Sequence, residues 1–468
     1  MFKSSAVTAA LLAAALCMAA SGPLRAAVSE AEAQDLGGKL TAFGAEKAGN
    51  ADGSIPEYTG GLKSVPGYDP KADRYIDPFK DEKPVYTVDA GNMSKYEASL
   101  TEGDKAMLKK YPDYKIMVYP SHRTVWYPDW VTDNIKKNAT TAKLVGSVEG
   151  DGVGGAAPDG FPWQGTPFPI PKNGFEVMWN HKIAPGAAVS HHLNKAFMVD
   201  TSGGVTDLPV ANEYFVRSWY DQSGALRKQT YDATMGVSSR LQDPPSSAGI
   251  VFLNYYTPST DDGGQKVWFY TPGQRRVRKA PEFAYDTPIA SYGGVLQWDE
   301  LWGFIGRMDR FDMQLVGKKE MIVPYNVFGV TNNLPARGTL GKSFIQPEAV
   351  RYEKHRVWVV EAKRKDNARH AYKLRRFYVD EDCWCIVSSE SYDDSGKLWK
   401  VGKIYSFPSY NTGGVDNATW NFNDVIKGNY FIINIGAGDP GFFNRNYTSA
   451  EGLNIPLTPA SVAAGSSR

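Results

Sequence analysis

The chain has 468 residues, and its 52 Lys and Arg side chains nearly balance its 51 Asp and Glu side chains. This balance gives no argument for binding nucleic acid or for bulk attraction to a charged membrane. The chain also carries 26 Tyr, 21 Phe, 12 Trp, 46 Gly and 29 Pro. Aromatic residues favour strands, and Gly and Pro favour turns, so the composition indicates broad β-sheets rather than a helical bundle.

Residues 1–26 have the pattern of a secretory signal peptide. Lys3 gives a positive start, residues 6–20 are apolar and uncharged, and small residues around Ala26 provide a cleavage site. The apolar run is shorter than the roughly 20 residues that span a bilayer. Cys17 lies inside this run, where a lipid attachment site is not expected. We therefore expect a lipid-free protein exported to the periplasm, with peripheral contact to the outer membrane left open.

The first part of the mature chain combines short helices with loops. Residues 93–110 have a helical pattern that ends before Pro112, and residues 131–144 have a second one. Residues 150–171 are rich in Gly and Pro, and they form the best internal boundary. We therefore predict an N-terminal wrapping segment over 27–150 and a main β body over 151–468.

The main body has the pattern of an antiparallel sheet. Residues 250–256 and 266–270 are apolar runs separated by strong turn residues, so they predict a hairpin. Four further strands are predicted at 357–363, 372–379, 384–392 and 397–405. Short turns between consecutive strands require antiparallel pairing. The predicted fold is mainly β with some α: a large curved antiparallel sheet, or an open half-barrel with a covering or plug helix.

Residues 296–311 provide the predicted helix. Their apolar residues, including Trp298 and Trp302, recur in steps of three and four. From this pattern alone, a helix that covers one sheet face as part of the core is favoured over a plug inside a half-barrel.

Two glycine-rich motifs resemble phosphate-binding loops. Residues 150–155 fit G-x-G-x-x-G, but prolines follow where a helix must begin. Residues 336–343 resemble a phosphate-binding loop with Ala in place of its first Gly, and no apolar strand precedes them. We therefore expect no nucleotide and no cofactor.

Three of the six histidines, His181, His191 and His192, are close in sequence. Their spacing is not that of a metal-binding helix, and adjacent residues of a strand point to opposite faces. Surface or hydrogen-bonded structural histidines are therefore favoured over a metal site or a catalytic site.

The turn predicted after residue 379 contains Asp380, Glu381 and Asp382, followed by Cys383 and Cys385. We interpret the carboxylates as solvated turn residues rather than as a calcium site or an acid–base pair. Because residues i and i+2 of a strand share a face, a bridge between the two cysteines would be strained, although export permits oxidation. Two free thiols are the favoured interpretation.

A basic run follows an aromatic strand. Trp268 and Tyr270 lie on the predicted strand, and Arg275, Arg276 and Arg278 follow its turn. A row of guanidinium groups can bind a carboxylate or phosphate bidentately, and the aromatic side chains can contact an apolar tail. An exposed strand with solvated arginines explains the pattern equally well.

The stretch from Trp268 to Arg278 resembles the strand–turn–Arg signature of exported outer-membrane lipoprotein-sorting-like proteins. Their fold is similar to that of the lipoprotein carriers LolA and LolB, a curved antiparallel sheet around helices and a hydrophobic cavity. More closely, the chain resembles the bacterial family of domain of unknown function 1329. The matching stretches are 44–50, 167–171, 179–181, 317–321, 323–326 and 377–382. The resemblance implies a plugged half-barrel and brings no catalytic residues with it.

Together these features predict a non-enzymatic carrier or accessory protein for a lipid or an acylated chain, with a possible partner in an envelope transport complex. The predicted ligand-binding residues are Trp268, Tyr270, Arg275, Arg276, Arg278, Trp298 and Trp302. A structural accessory of an envelope transport complex remains an alternative. An envelope hydrolase or lipid-modifying enzyme is another, and it would require the histidines to converge on a carboxylate in one cleft.

Overall fold

The computed structural model describes residues 28–258, 264–280, 286–289 and 292–465. The signal peptide predicted for residues 1–26 lies outside these ranges. Within them, none of the helices has the length and apolar character needed to span a bilayer.

Helices are short and mostly peripheral in the described part of the chain. The α-helices are α1 (Glu30–Ala33), α2 (Glu102–Lys110), α3 (Asp129–Thr141), α4 (Gly174–Lys182), α5 (Ala225–Gln229) and α6 (Pro459–Gly465). Short segments of 3₁₀ or π type lie at Met93–Ser99, Ser218–Tyr220, Pro272–Gln274, Trp298–Gly303, Gly329–Asn333, Ala336–Thr339 and Pro347–Ala349.

Strands make up most of the regular structure. The N-terminal strands are β1 (Tyr86–Val88), β2 (Ile116–Val118), β3 (Lys143–Val145) and β4 (Gly152–Gly154). The next group is β5 (Val189–Val199), β6 (Val205–Asp207), β7 (Val210–Val216), β8 (Met235–Asp243), β9 (Val251–Tyr256), β10 (Gln265–Thr271) and β11 (Arg276–Lys279). The last group is β12 (Phe311–Pro324), β13 (Tyr352–Arg364), β14 (Leu374–Asp380), β15 (Ile386–Tyr392), β16 (Leu398–Pro408), β17 (Val415–Asp424), β18 (Tyr430–Ile435) and β19 (Phe443–Tyr447).

One large open sheet runs through the molecule in the order β11–β10–β9–β8–β7–β5–β18–β17–β16–β15–β14–β13–β12. Every pairing in this series is antiparallel. Strand β5 is the hub, because its first half pairs with β7 and β19 while its second half pairs with β18 and β6. The hub divides the sheet into a first half (β5 and β7–β11) and a second half (β12–β18).

The predicted fold class is confirmed: the chain is mainly β, with one large, predominantly antiparallel sheet and few helices. The predicted hairpin is β9 and β10, and the four predicted strands are β13 to β16 in consecutive antiparallel pairs. The second predicted N-terminal helix is α3. The first is interrupted: a 3₁₀ segment ends at Ser99, and α2 begins after Thr101, whose side chain caps its first turn.

The helix predicted over 296–311 is wrong. Only a 3₁₀ turn forms at Trp298–Gly303, and Leu301 and Trp302 leave helical backbone geometry, with Trp302 at a φ of 54°. Gly303 has a φ of 88°, and a Cβ on it would lie 2.8 Å from Ile386. Contact with the sheet therefore fixes an irregular backbone here, which the apolar spacing of the sequence does not reveal.

The turn after β14 is also different from the prediction. Asp380, Glu381 and Asp382 are all at most 1% exposed, so the interpretation as solvated turn residues is wrong. Arg123 donates to both carboxylate oxygens of Asp382, at 2.6 and 2.9 Å. This buried ion pair fastens the N-terminal part of the chain to the sheet.

Cys383 and Cys385 form a disulfide in the same turn, so the interpretation as free thiols is wrong as well. Local spacing disfavoured this bridge. The argument from strand geometry does not apply, because both cysteines lie in the turn between β14 and β15 and neither lies on a strand.

Candidate functional site

A cavity lies on one face of the first half of the sheet and has a volume of about 100 Å³. Alternate residues of neighbouring strands line it, because side chains two residues apart on a strand share a face. From the first half of the sheet these residues are Asn194, Ala211, Glu213, Phe215, Val237, Ser239, Leu241, Phe252, Asn254 and Val267. The lining is therefore largely apolar, with a few polar side chains among them.

A covering segment, residues 292–305, closes the cavity from the other side together with Ile289. Tyr292, Trp298 and Leu301 of this segment contribute to the lining. Trp420, Ile433 and Asn434 from the second half of the sheet also line the cavity. The cavity thus lies between the first half of the sheet and the irregular segment that replaces the predicted helix.

Buried charges fix the covering segment to the second half of the sheet. Asp299 accepts a hydrogen bond from Arg375 at 2.6 Å and pairs with His370 at 3.0 Å. Glu300 accepts from Tyr372 at 2.8 Å and pairs with Lys400 at 3.3 Å.

Both carboxylates of the covering segment are at most 1% exposed. Burial alone would raise the pKa of Asp299, but Arg375 and His370 outweigh it, and the pKa lies below its ordinary value. Asp299 is therefore held in its charged form. Its ion pair with the sheet fixes the position of Trp298 beside the cavity.

The two tryptophans predicted on the covering segment have different positions. Trp298 lines the cavity. Trp302 is 1% exposed and lies in the core, where its ring meets Phe215 edge to face at 5.5 Å and Trp420 at 5.0 Å. Trp302 thus packs against two residues that line the cavity, Phe215 and Trp420.

Trp268 and Tyr270 lie on the opposite face of β10 from the cavity. Trp268 stacks on Tyr231 with ring centroids 5.2 Å apart. Tyr270 is buried in a cluster with Ile455 and Leu457 from the C-terminal segment. The structure therefore does not place these two aromatic side chains with Trp298, and their predicted role in ligand binding has no geometric support from the cavity.

The predicted arginines lie at the outer margin of the first half. Arg276 pairs with Thr271 and Arg278 pairs with Phe269, so both share the face that Val267 presents to the cavity. Both are exposed on β11. Arg275 lies in the turn before β11 with a φ of 46°. An anionic group bound by these arginines would therefore lie on the same face of the sheet as the cavity. The role of the arginines in ligand binding stays a prediction.

Glu213 is one of the polar lining residues that the sequence patterns did not identify. It is 5% exposed, and its carboxyl group accepts hydrogen bonds from Ser239 at 2.7 Å and from Asn194 at 2.8 Å. Burial raises its pKa above the ordinary value, although both hydrogen bonds act in the opposite direction. Alternation along β7 could have revealed it, because Glu213 lies between Ala211 and Phe215 on one face.

The three clustered histidines have separate partners. His181 accepts a hydrogen bond from the backbone of Ile386 and bonds with the Phe304 carbonyl, and burial lowers its pKa to about 4. His191 pairs with Asn212, and His192 pairs with Asp416 at 2.8 Å. Across the described residues, no group of three or more His, Cys, Asp or Glu side chains is arranged to hold a metal ion.

Comparison with known proteins supplies the family. The model of the family "Protein of unknown function (DUF1329)" matches residues 87–455. The chain belongs to the DUF1329 family. It is also 35% identical over 448 residues to "Uncharacterized protein PA3922" of Pseudomonas aeruginosa, covering 93% of this chain and 94% of that one. The predicted family resemblance is therefore confirmed.

Solved structures show only distant similarity. A putative outer membrane lipoprotein-sorting protein domain from Vibrio parahaemolyticus matches with a TM-score of 0.41 and 14% identity, covering 62% of this chain and 98% of that one. A DUF1329 family protein from Desulfovibrio piger matches with a TM-score of 0.37 and 13% identity, covering 57% of this chain and 88% of that one.

Proposed function

We propose that this DUF1329 protein is a non-enzymatic carrier that holds the apolar part of an amphiphilic ligand in the cavity beneath the covering segment. The observation that carries the proposal is the cavity itself, in which apolar side chains of the four neighbouring strands β7 to β10 face Trp298 and Leu301. Largely apolar cavities with a few oriented polar groups are the usual form of small-molecule sites.

The size of the cavity limits what it encloses. Its volume of about 100 Å³ is below the roughly 300–1,000 Å³ that encloses a drug-sized ligand. The cavity therefore takes a segment of an acyl or alkyl chain, and the rest of the ligand extends toward the margin of the sheet. Arg276 and Arg278 lie at that margin, where their guanidinium groups would bind a carboxylate or phosphate headgroup.

Export to the periplasm is part of the proposal, and its support is the signal-peptide pattern of residues 1–26. A carrier in this compartment would receive and deliver its ligand at the cell envelope. An envelope transport protein or the outer membrane is the corresponding partner.

The first test measures displacement of a fluorescent fatty acid by saturated carboxylates of increasing chain length. Each buried CH₂ contributes about 0.8 kcal/mol, so affinity should rise over the first methylenes and level off when the cavity is filled. Ala211→Phe should abolish the rise, because Ala211 lines the cavity. Val210→Phe is the matched control, since the preceding residue of β7 faces the other way.

An affinity that is flat across chain lengths would refute the carrier function and favour a structural accessory of an envelope complex.

The headgroup is tested separately with Arg276→Gln and Arg278→Gln. Both should weaken binding of dodecanoate more than binding of dodecanol, because only the anion loses a charge-assisted hydrogen bond. Arg337→Gln, an exposed arginine that pairs with Asp207, is the control.

A further inference from the structure

Two asparagine side chains in the cavity wall have fixed orientations. The Asn194 side-chain nitrogen donates to Glu213, and the Asn434 side-chain nitrogen donates to the Ala418 carbonyl. A carboxylate or a carbonyl oxygen accepts only from the nitrogen end of an amide, so the acceptors identify which end is which. In both residues the Oδ1 atom is therefore the end of the amide that takes no part in these hydrogen bonds.

These two oxygens are buried acceptors that belong to residues lining the cavity. Asn194 and Asn434 are each 1% exposed, and both line the cavity. Neither Oδ1 atom has a hydrogen-bond partner among the described residues. A buried polar atom without a partner costs free energy, and most such atoms in folded proteins are paired.

The two residues that carry these acceptors lie on adjacent, paired strands. Asn434 lies at the register shift of β18, between residues that pair with Ala196 and Lys195 of β5. Asn194 precedes these two residues on β5. Glu213, which binds Asn194 directly, adds a carboxyl group whose two oxygens each accept one hydrogen bond and retain further capacity. The polar part of the wall is thus rich in acceptors.

We propose that the cavity selects an apolar chain carrying a hydrogen-bond donor, a hydroxyl or an amide N–H, which binds the Oδ1 atoms of Asn194 and Asn434. This inference rests on the proposed carrier function and specifies its ligand class as hydroxylated or amide-bearing acyl chains. A plain hydrocarbon chain fills the same space and leaves both acceptors unpaired.

The test compares dodecanoate with 12-hydroxydodecanoate and 12-methoxydodecanoate in the displacement assay on the wild-type protein. These ligands share the headgroup, and only the hydroxyl compound carries a donor at the far end. A featureless apolar cavity would bind the hydroxyl compound more weakly, because the hydroxyl must leave water. We expect it to bind roughly threefold to tenfold more tightly than dodecanoate, and the methoxy compound to show no gain. Shifting the hydroxyl along the chain locates the best position.

Substitution of Asn434 assigns the effect to this wall. Asn434 has a φ of 59°, a backbone conformation that glycine adopts readily. Asn434→Gly therefore removes the acceptor without straining the backbone, and the preference for the hydroxyl compound should fall. Asn326→Gly is the matched control, because Asn326 is also buried with a φ of 49°, and its amide bonds to Thr124, His122 and Glu353 outside the cavity. Circular dichroism confirms folding, and the wild-type series stands by itself if a variant does not fold.

The outcomes separate the two proposals. If dodecanoate binds and neither the terminal nor any internal hydroxyl improves its affinity, the donor preference is refuted while the carrier function stands. A preference that survives in Asn434→Gly places the donor elsewhere and also refutes the inference. If none of the compounds binds, both proposals fall.

Discussion

The two halves of the sheet use the same antiparallel pairing but bury their strands differently. In the second half, β17 and β18 are buried at every position, and β16 is buried at all but its first two. In the first half, β7 alternates between half-buried and buried positions over most of its length, and β10 is half-buried at all but two positions. Strands β16 to β18 are therefore packed on both faces, whereas on β7 the buried residues Ala211, Glu213 and Phe215 line the cavity and the other face is largely half-buried.

The buried polar groups of the second half and those of the cavity wall differ in whether they have partners. Buried ion pairs concentrate in the second half, where Arg375 and Lys400 hold the covering segment in place. The cavity wall, where the two halves meet, instead contains the unpaired acceptors Asn194 of β5 and Asn434 of β18. The second half thus positions the covering segment over a cavity that has unpaired acceptors in its wall.

The largest effect is expected from Arg375→Met in the second half. This substitution leaves Asp299 charged and buried without its closest partner, which costs about 3–5 kcal/mol of unfolding free energy. Arg337→Met is the control, because its ion pair with Asp207 is exposed and worth at most about 1 kcal/mol. Urea unfolding measures both. Equal costs would show that the buried pair does not stabilise the covering segment.

The next largest effect is expected from truncating an apolar side chain, which should cost more unfolding free energy in the second half of the sheet than in the cavity wall of the first half. Ile404→Ala removes a fully buried side chain of β16 and should cost about 2–5 kcal/mol. Leu241→Ala, in the cavity wall on β8, should cost less, because this side chain is only half-buried and already faces open space. The comparison uses urea unfolding of the two variants without ligand. A Leu241→Ala cost as large as that of Ile404→Ala would mean that both halves are packed alike.

The pH dependence should come from Asp380 at the end of β14. Burial, with the nearby charge of Asp382, raises its pKa from 3.8 to about 7, so the folded state keeps a proton that the unfolded state releases. Stability from this proton is complete below about pH 4 and is lost as the pH rises to about 7, with a slope of at most about 1.4 kcal/mol per pH unit. Asp380→Asn should remove most of this decline in urea unfolding measured from pH 4 to 7.

Asp393→Asn is the control for the pH series. Hydrogen bonds from Ser395 lower the pKa of the exposed Asp393, so its contribution has the opposite sign and appears below pH 3.8. A decline that persists in Asp380→Asn would assign it to another group.

The smallest expected effect is that of nucleotides. Residues 152–154 form a strand with no helix before Gly174, and residues 336–339 form only a 3₁₀ turn. ATP and NAD should therefore leave the melting temperature unchanged. A specific ligand at one hundred times its Kd would add about 2.7 kcal/mol. A clear upward shift with either nucleotide would contradict this interpretation of the glycine-rich motifs.

The strands were predictable because their information is local. Alternating and continuous apolar runs, separated by turn residues, identified the β9–β10 hairpin and the series from β13 to β16. The family was equally accessible, since its matching stretches extend over most of the chain. The arginines of β11 were found as a pattern, and their register places Arg276 and Arg278 on the cavity face of the sheet.

The cavity wall was not predictable from these patterns. Trp268 and Trp298 are equally aromatic in the sequence, yet only Trp298 lines the cavity, because the face of β10 that carries Trp268 packs against the C-terminal segment. Which face of a strand is covered depends on partners that lie far away in sequence. The same holds for Glu213, whose neighbours Asn194 and Ser239 come from adjacent strands.

The sequence by itself determined the strand content, the antiparallel order of the hairpins and the family, since period-two patterns and turn residues act over a few positions. Tertiary structure decided the backbone of the covering segment, the burial of Asp380 to Asp382 and the polar part of the cavity wall. Each of these depends on charges or packing supplied by distant residues, as when Arg375 binds Asp299 and Arg123 binds Asp382. Burial makes such pairings strong, and burial is a property of the whole fold.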